Sequence, residues 1–245
     1  MSIIEDLLLT LPDAPVRTVL VAAHWTVVCS GETATGGGCG LSSTLTGDKP
    51  HAHTSVRDVG RLHLKRAREL AEYALSDNLL EASIGIAAIN SLLAVDESRA
   101  VEINAGHVLA DRGRERNVAL VGHFPFIPRL REQVGQLWVI EQHPTEGEHP
   151  ASAAADLIPR ADVVALTGSA LANHTLDGLL ALCRPGSVVM VLGPSTPLSP
   201  VLFDHGATLV SGTRIVDEAA VLRTVGQGAS FRQVEGVRLL TLEND

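Results

Sequence analysis

With 245 residues, 45% of them apolar and only 3% aromatic, the chain is long enough for one large or two small domains with ordinary cores. Its 19 basic against 28 acidic side chains leave a formal charge of −9, which argues against a nucleic-acid partner, since phosphate neutralisation needs a basic surface. No apolar run approaches the roughly 20 residues of a bilayer crossing, and Met1–Asp13 lacks the cationic start and apolar core of a signal peptide, so a cytoplasmic protein with no membrane partner is expected.

In chain order, Ile3–Leu11 has the spacing of a short amphipathic helix that stops at Pro12. Val16–Ala23 and Thr26–Cys29 read as β-branched strands, with a third at Leu41–Leu45. Between them Thr35-Gly36-Gly37-Gly38-Cys39-Gly40 resembles a phosphate cradle superficially, but it lacks the GxxxxGK[ST] pattern and reads as a strand connection. Cys29, Cys39 and Cys183 are an odd, scattered set without CxxC, indicating neither a disulfide framework nor a thiolate zinc site. A helix is expected over Ser55–Leu75, with Arg57, Arg61 and Lys65 repeating every four residues on one face. Leu79–Val95 is apolar nearly all round and predicts a buried helix. Its one strongly polar interior residue, Asn90, is either a satisfied core amide or a side chain reaching into a shared cleft. The charged stretch Asp96–Asn117, with a helix around Ala105–Asp111, marks the boundary between a domain of residues 1–104 and one of residues 105–245.

Past this boundary strands and helices alternate. Apolar runs at Val118–Val121, Leu137–Ile140, Val163–Leu166 and Val188–Leu192, with later strands at Thr208–Val210 and Val237–Leu242, are separated by helical segments at Ile127–Val134, Ala151–Ile158, Leu176–Leu182, Leu198–Asp204 and Glu218–Val225. This is the signature of an α/β, Rossmann-like parallel sheet, in which ligands sit outside the carboxyl ends of the strands.

The strand-end turns therefore carry the candidate chemistry. The first, Gly122-His123-Phe124-Pro125-Phe126, holds the phosphate-loop position but is stiff and apolar, not GxGxxG, and disfavours ordinary NAD binding. Glu141 ends the second strand where a dinucleotide-type fold places its ribose-binding acid; a solvated strand-end carboxylate is the plainer reading. Thr167-Gly168-Ser169 leads into Asn173-His174-Thr175, whose hydroxyls and amides can cap a helix or hold an anionic or carbonyl ligand. Gly193-Pro194-Ser195 is similarly polar and rigid. Among ten histidines, His51 and His53 form an HxH pair, and His143 and His149 with Glu141, Glu146 and Glu148 form a loose N/O cluster; both are weak metal candidates. No GxSxG elbow is present, against acyl hydrolysis.

Four stretches together resemble the heavy-metal chelation domain family, which pairs an enolase-N-terminal-like α+β domain with a Rossmann-like domain. They are Glu81–Asn90, Val121–Phe126, Thr167–Thr175 and Leu192–Pro197. The resemblance implies a site in the cleft between the domains, built from Asn90, Gly122, Phe124, Thr167, Gly168, Ser169, Asn173, Thr175, Gly193, Pro194 and Ser195, to which the strand-end position adds Glu141. Gly, Asn, Thr, Ser, Pro and Phe are not strong metal ligands, so the cofactor expected there is a transition metal carried by, or replaced by, a metal-chelating organic molecule. The competing reading is an enzyme for a nucleoside-like or pterin-like substrate, with Glu141 as hydroxyl anchor or general base in group transfer. A homodimer is the prior expectation for such a chain.

Overall fold

The computed structural model describes residues 1–32, 38–47 and 55–244; His51, His53 and the first half of the glycine-rich stretch lie outside them. The chain opens with α1 (Ile3–Thr10). A capping box sets its start: the Ser2 hydroxyl accepts from the Glu5 amide at 3.3 Å and the Glu5 carboxylate accepts from the Ser2 amide at 2.7 Å. Leu11 is already extended, as the residue before Pro12 must be. Strands β1 (Val16–Val21), β2 (Trp25–Ser30) and β3 (Cys39–Ser43) form an antiparallel sheet in the order β1-β2-β3. Then come α2 (Ala67–Ala71) and α3 (Leu79–Leu92), the latter capped by the Asn78 side chain.

The expected helix over Ser55–Leu75 is a correction. The segment is a chain of turns, with Asp58 and Gly60 at positive φ and residues 62–64 in a single 3₁₀ turn. Only Ala67–Ala71 is α-helical, followed by another 3₁₀ turn. The repeating cations Arg57, Arg61 and Lys65 imitate a helix face, but their partners are local carboxylates: Arg57 meets Glu81 and Lys65 meets Asp58, each at 2.9 Å. By contrast α3 is the buried helix its composition predicts, with eleven of its fourteen residues buried. The small sheet approaches it at glycine. A Cβ on Gly40 would stand 2.1 Å from the Ala87 carbonyl oxygen, and one on Gly85 would stand 1.9 Å from the Ala74 nitrogen.

A second sheet holds β4 (Ala100–Glu102), β5 (Asn117–Val121), β6 (Gln136–Glu141), β7 (His149–Pro150), β8 (Val163–Thr167), β9 (Val188–Leu192), β10 (Leu209–Ile215) and β11 (Val237–Glu243). Its order is β4-β11-β10-β9-β8-β5-β6-β7. The six strands from β7 to β10 are parallel and run β7-β6-β5-β8-β9-β10, the doubly wound order, with its switch point between β5 and β8. β11 and β4 add antiparallel at the edge. Connecting helices are α4 (Ala105–Arg112), α5 (Ile127–Gln133), α6 (Ala154–Leu157), α7 (Ser169–Ala172), α8 (Leu176–Ala181), α9 (Val201–Asp204) and α10 (Glu218–Gly226).

Strand alternation places the cores. Val163 and Ala165 of β8 pack with Leu109, Leu130 and Val139 under α4 and α5, while Val164 and Leu166 face the other way, into the large core shared with α1, α2 and α3. Burying each such Val or Leu side chain contributes about 1.5–3 kcal/mol. The amino-terminal domain therefore sits on one face of the big sheet. Its small sheet turns its other face, Val27, Cys29, Cys39 and Leu41, toward Val221 and Val225 of α10. Among the described residues no helix is long and apolar enough to cross a membrane.

Candidate functional site

Three parallel strands end in the turns expected to carry chemistry. Gly122 and Gly193 follow β5 and β9 directly and have φ of +111° and +114°, a conformation glycine adopts without strain. At Gly193 this turns the chain so that its carbonyl accepts from the Thr196 amide at 3.0 Å. The Phe124 ring lies across both glycines, within 3.1 Å of a Cβ built on Gly122 and 3.7 Å of one on Gly193. It stacks on Phe126 with centroids 5.2 Å apart and planes at 18°.

Beside these rings opens a cavity of about 580 Å³, lined in part by the start of α4, Phe124, Phe126, Gly193-Pro194 and Ser211-Gly212-Thr213, with Arg129, Arg232 and His107 among its polar groups. The Thr213 hydroxyl is buried and has no hydrogen-bond partner. Buried polar groups are nearly always satisfied, so an unpartnered hydroxyl in a cavity-lining residue is an exception.

Next to the cavity the small sheet and α3 are sutured to the strand ends of the large sheet. Ser43, at the end of β3, donates its amide to the Ser195 hydroxyl at 2.8 Å, and its hydroxyl lies 3.1 Å from the hydroxyls of both Ser169 and Ser195. The Asn90 amide donates from α3 to the Leu41 carbonyl at 2.9 Å and to the Ser195 carbonyl at 3.1 Å. Both acceptors are carbonyls, so the NH₂ must face them and the Asn90 oxygen must face away. That oxygen is buried and unpartnered, as is the Thr196 hydroxyl. Asn90 is thus a core amide whose NH₂ is satisfied and whose oxygen is buried without a partner, and it does not line the cavity. Gly168 is needed where the suture is tightest, because a Cβ there would stand 2.3 Å from the Thr196 hydroxyl oxygen. Ser43 escaped the sequence reading, since a serine at a strand end carries no distinguishing pattern.

Of the sequence-predicted residues, Phe124, Gly193 and Pro194 line the cavity, with Gly122 directly beneath Phe124. Asn90, Ser169 and Ser195 are brought together in the suture. Thr167 receives the Ser169 amide at 3.4 Å and packs against Gly122. Asn173 and Thr175 bond each other, the Asn173 oxygen accepting from the Thr175 amide and hydroxyl. His174 between them, at φ +58°, reaches the Ser76 carbonyl at 3.0 Å, a further tie between the domains in which its Nε2 must carry the proton. Glu141 accepts from the neighbouring Gln142 amide at 2.9 Å and does not line the cavity.

The loose cluster after β6 does not converge. Glu148 accepts from the Thr145 amide and lies 2.9 Å from His123 Nδ1; the amide first, opposed by burial and aided by His123, holds its carboxyl below the usual range. Among the described residues, no three of His143, His149, Glu141, Glu146 and Glu148 come within ligating reach of one another.

One group does, and it brings together two of the cysteines that are scattered in sequence. Cys29, Cys39 and Glu218 bring two sulfurs and a carboxylate oxygen within 4.8 Å of one another. β2 and β3 place Cys29 opposite Cys39, and the Ser30 amide bonds the Gly38 carbonyl at 2.9 Å, so the cysteines occupy the adjacent, non-hydrogen-bonded position where side chains stand closest. Glu218, the first residue of α10, is held by Arg17 of β1 at 2.6 Å. A hydrogen bond with Cys29, and then burial, push the Cys39 thiol well above its ordinary range. Centring a hairpin on residue 34 would have paired the two cysteines from sequence; the separation of ten residues alone did not suggest it.

As a test of fit to a heavy metal, the cavity and suture supply hydroxyls, amides and aromatic faces, a poor donor set for a soft cation, whereas two thiols and a carboxylate are a suitable one. Comparison with known proteins bears on the same question. Residues 104–243 match the family model DUF364 and residues 4–93 the model DUF4213, both described as "Putative heavy-metal chelation". A crystal structure of a DUF364 protein of unknown function from Desulfitobacterium hafniense is similar, with TM-score 0.86 and 27% identity over 99% of this chain and 98% of that one. One from Pyrococcus horikoshii has TM-score 0.81 and 20% identity, with 99% and 98% covered, and shares the fold. An uncharacterized protein of Methanocaldococcus jannaschii is 27% identical over 160 residues, and the match spans 62% of this chain and 62% of that relative. The small antiparallel sheet joined to a doubly wound sheet is therefore a shared architecture, and the chain belongs to the DUF364 family, described as putative heavy-metal chelation.

Proposed function

We propose that this protein binds a small organic molecule, or a metal complex of one, at the strand-end cavity under Phe124. The observation that carries this reading is the cavity of about 580 Å³ beside the turns that follow β5 and β9 and along the middle of β10, a preformed hollow with aromatic walls and a few polar groups. Stacked Phe124 and Phe126 favour a flat, unsaturated ligand, Arg129 and Arg232 favour a partial negative charge, and a ligand that reaches the buried Thr213 hydroxyl would give it the partner it lacks. In a family described by heavy-metal chelation, such a ligand supplies its own donor atoms to the metal, and the protein supplies shape and orientation. The cytoplasmic setting belongs to this proposal; it is supported by three cysteines free of disulfides. The enzymatic alternative gains no support from Glu141, which stands apart from the cavity.

Native mass spectrometry of freshly purified, untagged protein, with elemental analysis of the same sample, tests the proposal. An organic mass retained by the wild type and lost on Phe124→Ala is the expected result. A wild type that retains no such mass, and gains none when incubated with the small-molecule fraction of its own host cells, overturns it.

A further inference from the structure

We infer that Cys29, Cys39 and Glu218 form a second site, a direct side-chain site for one thiophilic divalent cation, on the opposite face of the small sheet from α3. Three observations converge there. The register places the cysteines side by side on adjacent strands. Their sulfurs and a Glu218 oxygen lie within 4.8 Å of one another, close to the separation of about 3.8 Å between ligand atoms around a tetrahedral centre with bonds near 2.3 Å. Among the described residues the surroundings are protein core, Val27, Leu41, Val221 and Val225, and Glu218 and Arg17 are partly exposed.

The carboxylate points to a cation and not to a cross-strand disulfide, for which Glu218 would have no part. Binding is balanced without an oxidant: two S–H bonds break, two sulfur–metal bonds form, two protons leave to solvent, and the Glu218 carboxylate adds an oxygen donor. Two thiolates and one carboxylate bring three negative charges. A divalent ion and the Arg17 guanidinium, 2.6 Å from Glu218, cancel them, which a buried site requires. Thiolate donors select soft or borderline ions over calcium or magnesium. The three donors come from β2, β3 and α10, so an ion held here clamps the small sheet to the last helix of the second domain. This inference is independent of the cavity: the lining residues of the two sites do not overlap.

The test is titration of the reduced full-length protein with Cd²⁺, read by the thiolate-to-cadmium charge-transfer absorbance and by native mass spectrometry. The wild type is expected to bind one ion with an absorbance that counts two cadmium–thiolate bonds, a result that needs no variant. Cys29→Ser and Cys39→Ser are each expected to abolish the two-thiolate band, Glu218→Gln to weaken binding about tenfold, and Cys183→Ser to leave both unchanged. Phe124→Ala should also leave it unchanged, which separates failure here from failure of the cavity reading. A wild type that binds no Cd²⁺, a band that survives both cysteine substitutions, or a reduced protein that only loses two hydrogens to a disulfide when metal is added, overturns the inference.

Discussion

The suture and the cavity lie side by side at the carboxyl ends of the parallel strands and draw on the same small polar residue types, yet they are finished differently. In the suture, Ser43, Ser169 and Ser195 bond one another and Asn90 donates to two carbonyls, so these groups tie the small sheet to the large one, while the Asn90 oxygen and the Thr196 hydroxyl are left over. At the cavity, Thr213 is a lining residue whose hydroxyl is buried without a partner. A side chain's type therefore does not say whether it joins elements or lines a cavity; its bonded neighbours and its place at the cavity wall do. Substitutions in the suture should cost stability, and those at the cavity should cost ligand.

The largest expected effect is at Gly168. Its Cβ would press on the Thr196 side-chain oxygen at 2.3 Å and the Thr196 backbone nitrogen at 2.7 Å, neither of which can move without lifting the 193–197 turn off the suture. Gly168→Ala should destabilise the protein by about 3 kcal/mol in chemical denaturation. A loss below about 1 kcal/mol would show that the suture yields easily and would blur the comparison.

Glu81 offers a reference away from both regions. Its carboxylate, 4% exposed, accepts from the Arg57 amide at 2.7 Å, the Arg57 guanidinium at 2.9 Å and the Ser76 hydroxyl at 2.7 Å. Burial alone would raise its pKa, but these bonds outweigh burial and lower it from 4.5. A carboxyl lowered on folding contributes stability that is present above its unfolded value and is lost as pH falls through its folded one. Glu81→Gln should therefore cost about 2 kcal/mol at neutral pH, with the gap to wild type narrowing as pH drops below 4.5. Thermal melts from pH 7 to pH 3 measure it, and a gap that widens on acidification would contradict this account.

Within the suture, Asn90→Ala removes two donated bonds and leaves the Leu41 and Ser195 carbonyls short of a partner. A cost of about 1–2 kcal/mol is expected, with retention of any cavity ligand unchanged. Loss of ligand with little loss of stability would move Asn90, and its free oxygen, from the suture to the binding surface.

The doubly wound sheet was legible because each buried strand is a short continuous apolar run set off by a turn: Val118–Val121, Val163–Leu166 and Val188–Leu192 all became strands to within a residue. Gly122, Phe124, Gly193 and Pro194 were legible as strand-end residues for the same reason, since the topology brings the carboxyl ends of parallel strands to one edge. What the chain hid was pairing at a distance. Nothing in residues 55–75 announced that Lys65 and Arg66 would be extended and split the expected helix. Asn173 and Thr175 carry the residue types of a ligand loop and are spent on each other, a distinction that exists only in three dimensions. Ser43 and Ser195 are 152 residues apart, and Glu218 is nearly as far from Cys39 as the chain allows. Local periodicity has no access to such contacts.

Thr213→Val is expected to have the smallest effect on stability, and it probes the difference between the regions most directly. Valine matches threonine in shape, so packing in β10 is preserved while a buried hydroxyl without a partner is removed. Replacing an unsatisfied polar group by an apolar one of the same shape is close to neutral or slightly stabilising, by about 0.5 kcal/mol. Removing a suture donor instead strands its acceptors. If the hydroxyl exists to meet a ligand, the variant should melt at or just above the wild-type temperature and lose the organic mass seen by native mass spectrometry. Should it melt lower by an amount equivalent to about 1 kcal/mol or more, the hydroxyl is satisfied within the folded protein by ordered water, and the cavity wall is then finished in the same way as the suture.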